Sequence, residues 1–132
     1  MDRFDLLVVD DEAVVCAAVV RVLEAAGFRV ATASDGAAGL AHPAARTCAA
    51  ALCDLILPDC SGIDVVRELH SRRPELPIIV ITGYASTEAL GHANEAGARA
   101  FLAKPFDGEE LLGTVRAVLG EPESAPPSKE GS

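Results

Sequence analysis

LLVVDD, residues 6–11, sets four aliphatic residues directly before two carboxylates. An unbroken apolar run of this length, bounded by turn signals, reads as a strand buried on both faces. Working outward, AALCD (50–54), IIVIT (78–82) and AFLAK (100–104) repeat the arrangement, closing on Asp54, Thr82 and Lys104. Each polar residue then stands at the carboxyl end of its strand. In an open parallel sheet that edge is where ligands bind. Three carboxylates, a hydroxyl and an ammonium gathered there make a site suited to a divalent cation and a phosphoryl group.

The segments between these runs have helical character. After a first strand over 6–10, residues 12–26 carry Val14, Val15, Ala18, Val19, Val22 and Leu23 at helical spacing and stop at Gly27. A short strand over 29–33 leads to Asp35-Gly36, which starts a weak Ala-rich helix running to about His42 before Pro43. A strand over 49–54 precedes a helix over 61–71 with Ile63, Val66 and Leu69 inward. Following a strand over 77–82, Ser86 caps a fourth helix rich in small residues and interrupted by Gly91, expected to be the least firmly held. A fifth strand over 100–103 and a last helix capped by Asp107, with Leu111, Leu112, Val115, Val118 and Leu119 as its apolar stripe, complete the series. Five βα repeats with short connections predict a parallel sheet covered by helices on both faces through right-handed crossovers.

The 132 residues suit one domain. That domain is expected over 1–120, followed by EPESAPPSKEGS over 121–132 as a disordered tail or linker. Half the residues are hydrophobic but only 4% are aromatic, so Ala, Val, Leu and Ile must fill the core. A net charge of −9, with no basic cluster beyond Arg72-Arg73, argues against direct nucleic-acid binding by this chain. Cys16, Cys48, Cys53 and Cys60 form no C-x-x-C pair, and His42, His70 and His92 show no H-x-x-x-H spacing, so reduced thiols are expected. With neither a signal-peptide apolar region nor a run of membrane-spanning length, a cytoplasmic location without membrane attachment follows as an expectation.

Clustered carboxylates repel, and one would keep its proton unless a cation were present. Mg²⁺ fits this donor set, since it takes one or two carboxylates and leaves room for water and phosphate oxygens. Asp11 and Asp54 read as direct ligands, Asp10 as acting through water or by orienting the shell, and the backbone carbonyl near Ile56 as a third protein oxygen. Asp54, alone at the tip of a central strand, is the better nucleophile toward phosphorus. Lys104 and Thr82 would help to stabilise the charge on the transferring group.

Asp10-Asp11, Asp54 followed by Pro58 and Gly62, Thr82-Gly83 and Lys104-Pro105-Phe106 together resemble the receiver domain of two-component response regulators. The resemblance spans roughly residues 4–120. It implies a flavodoxin-like doubly wound α/β fold with strand order 2-1-3-4-5 and a cis bond before Pro105. It also implies phosphoryl transfer from a sensor histidine kinase or phosphotransfer protein to Asp54, and a switch through Thr82 and Phe101 that alters the face formed by the fourth helix, fifth strand and fifth helix. Such a domain is no enzyme beyond its own phosphorylation and dephosphorylation, and it acts on an output domain or downstream protein. A phosphorylation-dependent homodimer is compatible with it. Ile56 and Tyr84, each two residues past a key position, would flank the phosphoryl group and hinder water, while Gly83 keeps a protein donor's approach open. The competing reading is a phosphorylation-independent interaction module whose receiver site is silent.

Overall fold

The computed structural model describes residues 3–120; the expected tail over 121–132 lies outside them. Five strands, β1 (Leu6–Val9), β2 (Val30–Ala33), β3 (Ala50–Asp54), β4 (Ile78–Thr82) and β5 (Ala100–Ala103), form one parallel sheet in the order β2-β1-β3-β4-β5. Five helices connect and cover them: α1 (Ala13–Ala25), α2 (Gly36–Ala41), α3 (Gly62–Arg72), α4 (Thr87–Ala96) and α5 (Gly108–Leu119). This is the doubly wound, flavodoxin-like arrangement.

The aliphatic runs are explained by burial on both sides. Every residue of β1, β3 and β4 is buried, whereas the edge strands β2 and β5 each expose part of their length. Side chains alternate across the sheet. Leu7, Val9, Ala51, Cys53, Ile78 and Val80 point into the layer completed by Val65, Val66 and Leu69 of α3 and Ala93 and Ala96 of α4. Leu6, Val8, Leu52, Ile79 and Ile81 point the other way, against Val19 and Leu23 of α1 and Leu111 and Val115 of α5.

Three local features differ from the sequence reading. Val14 is 83% exposed and Ala18 is also exposed, because the first turns of α1 border an open cleft at the sheet's carboxyl edge while Val19 and Leu23 make the packing contact. On α3, Val65 joins Val66 and Leu69 inside and Ile63 is only half-buried. The helix α2 is just six residues long, and a 3-10 helix, Pro43–Arg46, follows at once. There His42 Nδ1 accepts a hydrogen bond from Ala44 N at 3.0 Å, and Pro43, lacking an N–H, is tolerated in the first turn.

The helix starts follow their caps. Ser61, Ser86 and Asp35 accept hydrogen bonds from the first turns of α3, α4 and α2, and Asp107 forms a capping box with Glu110 on α5. Helix α4 buries only Ala93 and Ala96, so little holds it besides small-residue contacts.

Gly62 marks the tightest approach: a Cβ there would lie 1.9 Å from Asp54 O and 2.6 Å from Leu55 Cα. Both neighbours are backbone and cannot yield cheaply. By contrast, a Cβ on Gly91, within α4, would meet nothing within 4 Å. Gly62→Ala should therefore destabilise by about 2–3 kcal/mol, while Gly91→Ala should stabilise by about 0.5–1 kcal/mol. Urea unfolding midpoints check both signs.

Candidate functional site

The register of the sheet brings the chemistry together. Val9 pairs with Cys53, Asp54 with Ile81, and Thr82 with Ala103, so Asp10, Asp54, Thr82 and Lys104 occur at neighbouring strand ends. Lys104 N donates to Thr82 O at 2.8 Å, continuing the ladder one step past β5, and the Lys104–Pro105 bond is cis, as the resemblance implies.

Asp10 and Asp54 are almost wholly buried. Asp10 Oδ1 accepts from Glu12 N at 2.9 Å, and Asp54 Oδ1 from Ile56 N at 3.1 Å. Lys104 Nζ donates to Asp54 Oδ2 at 2.8 Å and also bonds to Glu12. It stands 3.0 Å from Asp10 Oδ2, but off the direction of a hydrogen bond, so that oxygen is paired by charge alone. One ammonium thus faces three carboxylates. Burial alone would lower the Lys104 pKa; hydrogen bonds to Asp54 and Glu12 and the charge of Asp10 together outweigh it and hold the pKa above the ordinary lysine value. Burial pushes the Asp10 carboxyl up, with the Asp54 charge adding to the rise, while the Glu12 N–H and Lys104 oppose it.

The donor set fits a hard cation. Asp10, Glu12 and Asp54 can place one carboxylate oxygen each within 4.8 Å of one another, and Asp10 Oδ2 is a buried acceptor with no donor. Asp11 is not in that group; it is exposed and lines the adjoining cleft of about 800 Å³ together with Asp54, Ile56, Gly83, Tyr84 and Lys104. Thr82 is buried at the end of β4, where its Oγ1 accepts from Tyr84 N at 2.9 Å. Phe101 is half-buried against the layer beneath α3 and α4.

Sequence reasoning missed Glu12 and Asp59. Glu12 directly follows the acidic pair, and that adjacency was the available signal. Asp59 receives Gly36 N at 2.8 Å and Ala37 N at 2.9 Å, tying the loop after Asp54 to the start of α2; those two backbone donors lower its pKa. The four cysteines are all free thiols, and burial pushes Cys16 up to about 11, with the Asp10 charge adding to the effect. Among the described residues no helix is long and apolar enough to cross a membrane.

Sheet order and crossovers define a flavodoxin-like α/β domain, with an acid-lysine cluster at the carboxyl edge of its sheet. Within that class the chain belongs to the response regulator receiver domains of two-component systems, whose family model matches residues 6–116. It is 39% identical over 125 residues to the photosynthetic apparatus regulatory protein RegA of Cereibacter sphaeroides, covering 95% of this chain and 66% of that protein. With the acid tolerance regulatory protein ActR of Rhizobium meliloti it shares 37% identity over 116 residues, covering 88% of this chain and 60% of that one. It therefore spans about two thirds or less of these curated relatives. Among solved structures, a CheY-like receiver domain protein from Methanospirillum hungatei superposes with a TM-score of 0.84 at 32% identity, over 90% of this chain and 95% of that one. The receiver domain of NtrX from Brucella abortus gives 0.82 at 30% identity, over 88% and 98%. Receiver domains of this family are generally not enzymes in the ordinary sense.

Burial of Asp10 generates a prediction for stability. A carboxyl whose folded pKa is raised destabilises the fold when ionised, and the cost disappears as pH falls below its unfolded value, near 3.8. Asp10→Asn, which keeps an acceptor for Glu12 N, should stabilise the metal-free protein at pH 7. The gain should shrink toward zero as pH drops through the raised Asp10 pKa to below 3.8. Urea midpoints at neutral and acidic pH measure it.

Proposed function

We propose that this domain accepts a phosphoryl group on Asp54 from the phosphohistidine of a sensor histidine kinase or phosphotransfer protein, and thereby controls an output domain or downstream partner. The observation that carries this reading is the setting of Asp54: nearly buried, aligned by Ile56 N and Lys104 Nζ, and lining an open cleft. An Asp54 oxygen attacks phosphorus, the P–N bond to the donor imidazole breaks, and the leaving imidazole takes up a proton. Phosphoryl transfer needs chiefly positioning and charge stabilisation. Lys104 supplies an ammonium already in contact with the acceptor, and Thr82 a hydroxyl at the neighbouring strand end.

Asp10, Asp54, the rim carboxylate of Asp11 and the Ile56 backbone carbonyl would hold Mg²⁺, which when bound screens the carboxylates and offsets charge on the transferred oxygens. The cleft also suits a protein donor. Val14, Ile56 and Tyr84, which are 83%, 54% and 71% exposed, are the large hydrophobics exposed among the described residues, and all three line it. Ile56 and Tyr84 offer no group to activate water, so the acyl phosphate should persist, whereas Gly83 leaves an approach for the donor.

Signalling follows by population shift. In this structure Thr82 Oγ1 is engaged by Tyr84 N. A phosphoryl group competing for the hydroxyl favours a second arrangement in which Thr82 and Phe101 move inward and the α4-β5-α5 face changes. Inverting a 1:99 equilibrium to 99:1 requires about 5.5 kcal/mol, and a helix that buries only two alanines offers little resistance. The domain boundary at residue 120 and a cytoplasmic location complete the proposal.

Intact mass after incubation with acetyl phosphate and Mg²⁺ tests it. The native chain should gain one phosphoryl group, while Asp54→Ala and an EDTA-treated sample gain none. Freed of donor, Ile56→Asn and Tyr84→Ala should lose the group several-fold faster than the native chain. No gain from acetyl phosphate or from a panel of histidine kinases would favour the silent interaction module, and unchanged decay would remove the shielding role.

A further inference from the structure

Glu12 occupies the N-cap of α1, with φ −86° and ψ 106°, yet its side chain makes no capping hydrogen bond. A shorter Ser, Asp or Asn would cap better there. Asp10 Oδ1 takes up the Glu12 N–H, and the freed carboxylate crosses the cleft to Lys104, a partner 92 residues away in sequence.

The three carboxylates on Lys104 differ in what they can do next. Asp10 and Asp54 side chains are 0% and 7% exposed and are each anchored through Oδ1 to a backbone N–H. The Glu12 side chain is 57% exposed, is held by Lys104 alone among the described residues, and can enter water at small cost. An ammonium has three N–H groups to give. Two of them go to Asp54 and Glu12, and Asp10 Oδ2 stands 3.0 Å away as an ion-pair partner, so the Glu12 direction is the one most readily vacated for the oxygens of an incoming phosphoryl group.

We propose that Glu12 is a placeholder for the phosphoryl group. Its carboxylate takes the position on Lys104 Nζ that phosphoryl oxygens later occupy, keeps the ammonium over Asp54 beforehand, and is displaced into solvent when the group arrives. Glu12 is thus a positioning residue that also competes with the product state. This rests on the reading of Asp54 as phosphoacceptor. Because the pair is half-exposed, its competition is worth only a few-fold in affinity.

The test compares Glu12→Gln with Glu24→Gln, which removes the same charge from the exposed far end of α1. The chain has two lysines, Lys104 and Lys129, so lysine-selective ¹⁵N labelling gives an ammonium spectrum with two assignable signals. In metal-free native protein and in Glu24→Gln, the Lys104 ammonium should exchange slowly enough to be observed, and in Glu12→Gln it should broaden or vanish. With saturating Mg²⁺, beryllofluoride, a tetrahedral phosphoryl mimic, should bind Glu12→Gln roughly two- to fivefold more tightly than Glu24→Gln. An unchanged Lys104 signal overturns the proposal. So does an altered signal with equal or weaker beryllofluoride binding, which would make Glu12 an orienting group that is never exchanged. If the native chain takes up neither beryllofluoride nor a phosphoryl group, the phosphoacceptor reading itself fails, the exchange has no second partner, and the placeholder falls with it; the ammonium spectrum still tells the two failures apart.

Discussion

Two buried carboxylates close together at the end of a parallel sheet are unfavourable unless a positive charge stands between them. In this domain Lys104 is that charge, within 3.0 Å of both Asp10 and Asp54. Desolvation of Asp10 opposes the arrangement, and its ion pair and backbone N–H bond only partly offset it, as the upward push on its carboxyl records. The surrounding fold sustains this unfavourable cluster. Strand register sets where the acids and lysine begin, and the close approach of Gly62 to Asp54 O fixes the loop beyond β3. Asp59 ties the same loop to the start of α2.

Packing around this constraint is uneven. Helix α4 consists largely of small or polar residues and buries two alanines, whereas α1 and α5 anchor on Val19, Leu23, Leu111 and Val115. A rigid site beside a weakly held helix is the arrangement in which a local change of charge can shift a distant face. Thr82 lies at the junction, with its backbone in β4 and its hydroxyl already committed to the loop leading toward α4.

Much of this was legible in the sequence, because burial on both faces leaves little choice but aliphatic residues. LLVV, AALCD, IIVIT and AFLA announced four of the strands, and the committed residues after them announced the site edge. The resemblance supplied the strand order, which periodicity does not encode. Other features were hidden for physical reasons. Val14 and Ala18 fit a helical stripe, but the stripe extends past the end of the sheet, and sequence does not tell where a surface ends. Glu12 looked like an ordinary N-terminal helix residue, and only the three-dimensional proximity of β1 and β5 ends gives it Lys104 as partner. Asp11 matched the acidic pair, yet backbone direction after β1 turns Asp10 inward and leaves Asp11 on the rim.

Of the acids gathered around Lys104, Asp54 alone is the one expected to carry the phosphoryl group. Borohydride reduces an acyl phosphate to an alcohol, so an aspartyl phosphate becomes homoserine at its own position. After treatment with acetyl phosphate and Mg²⁺, reduction and peptide mass spectrometry should locate homoserine at residue 54 alone. Homoserine at Asp10, Asp11 or Asp59 would contradict the account, as would its absence from a sample whose intact mass shows the phosphoryl group.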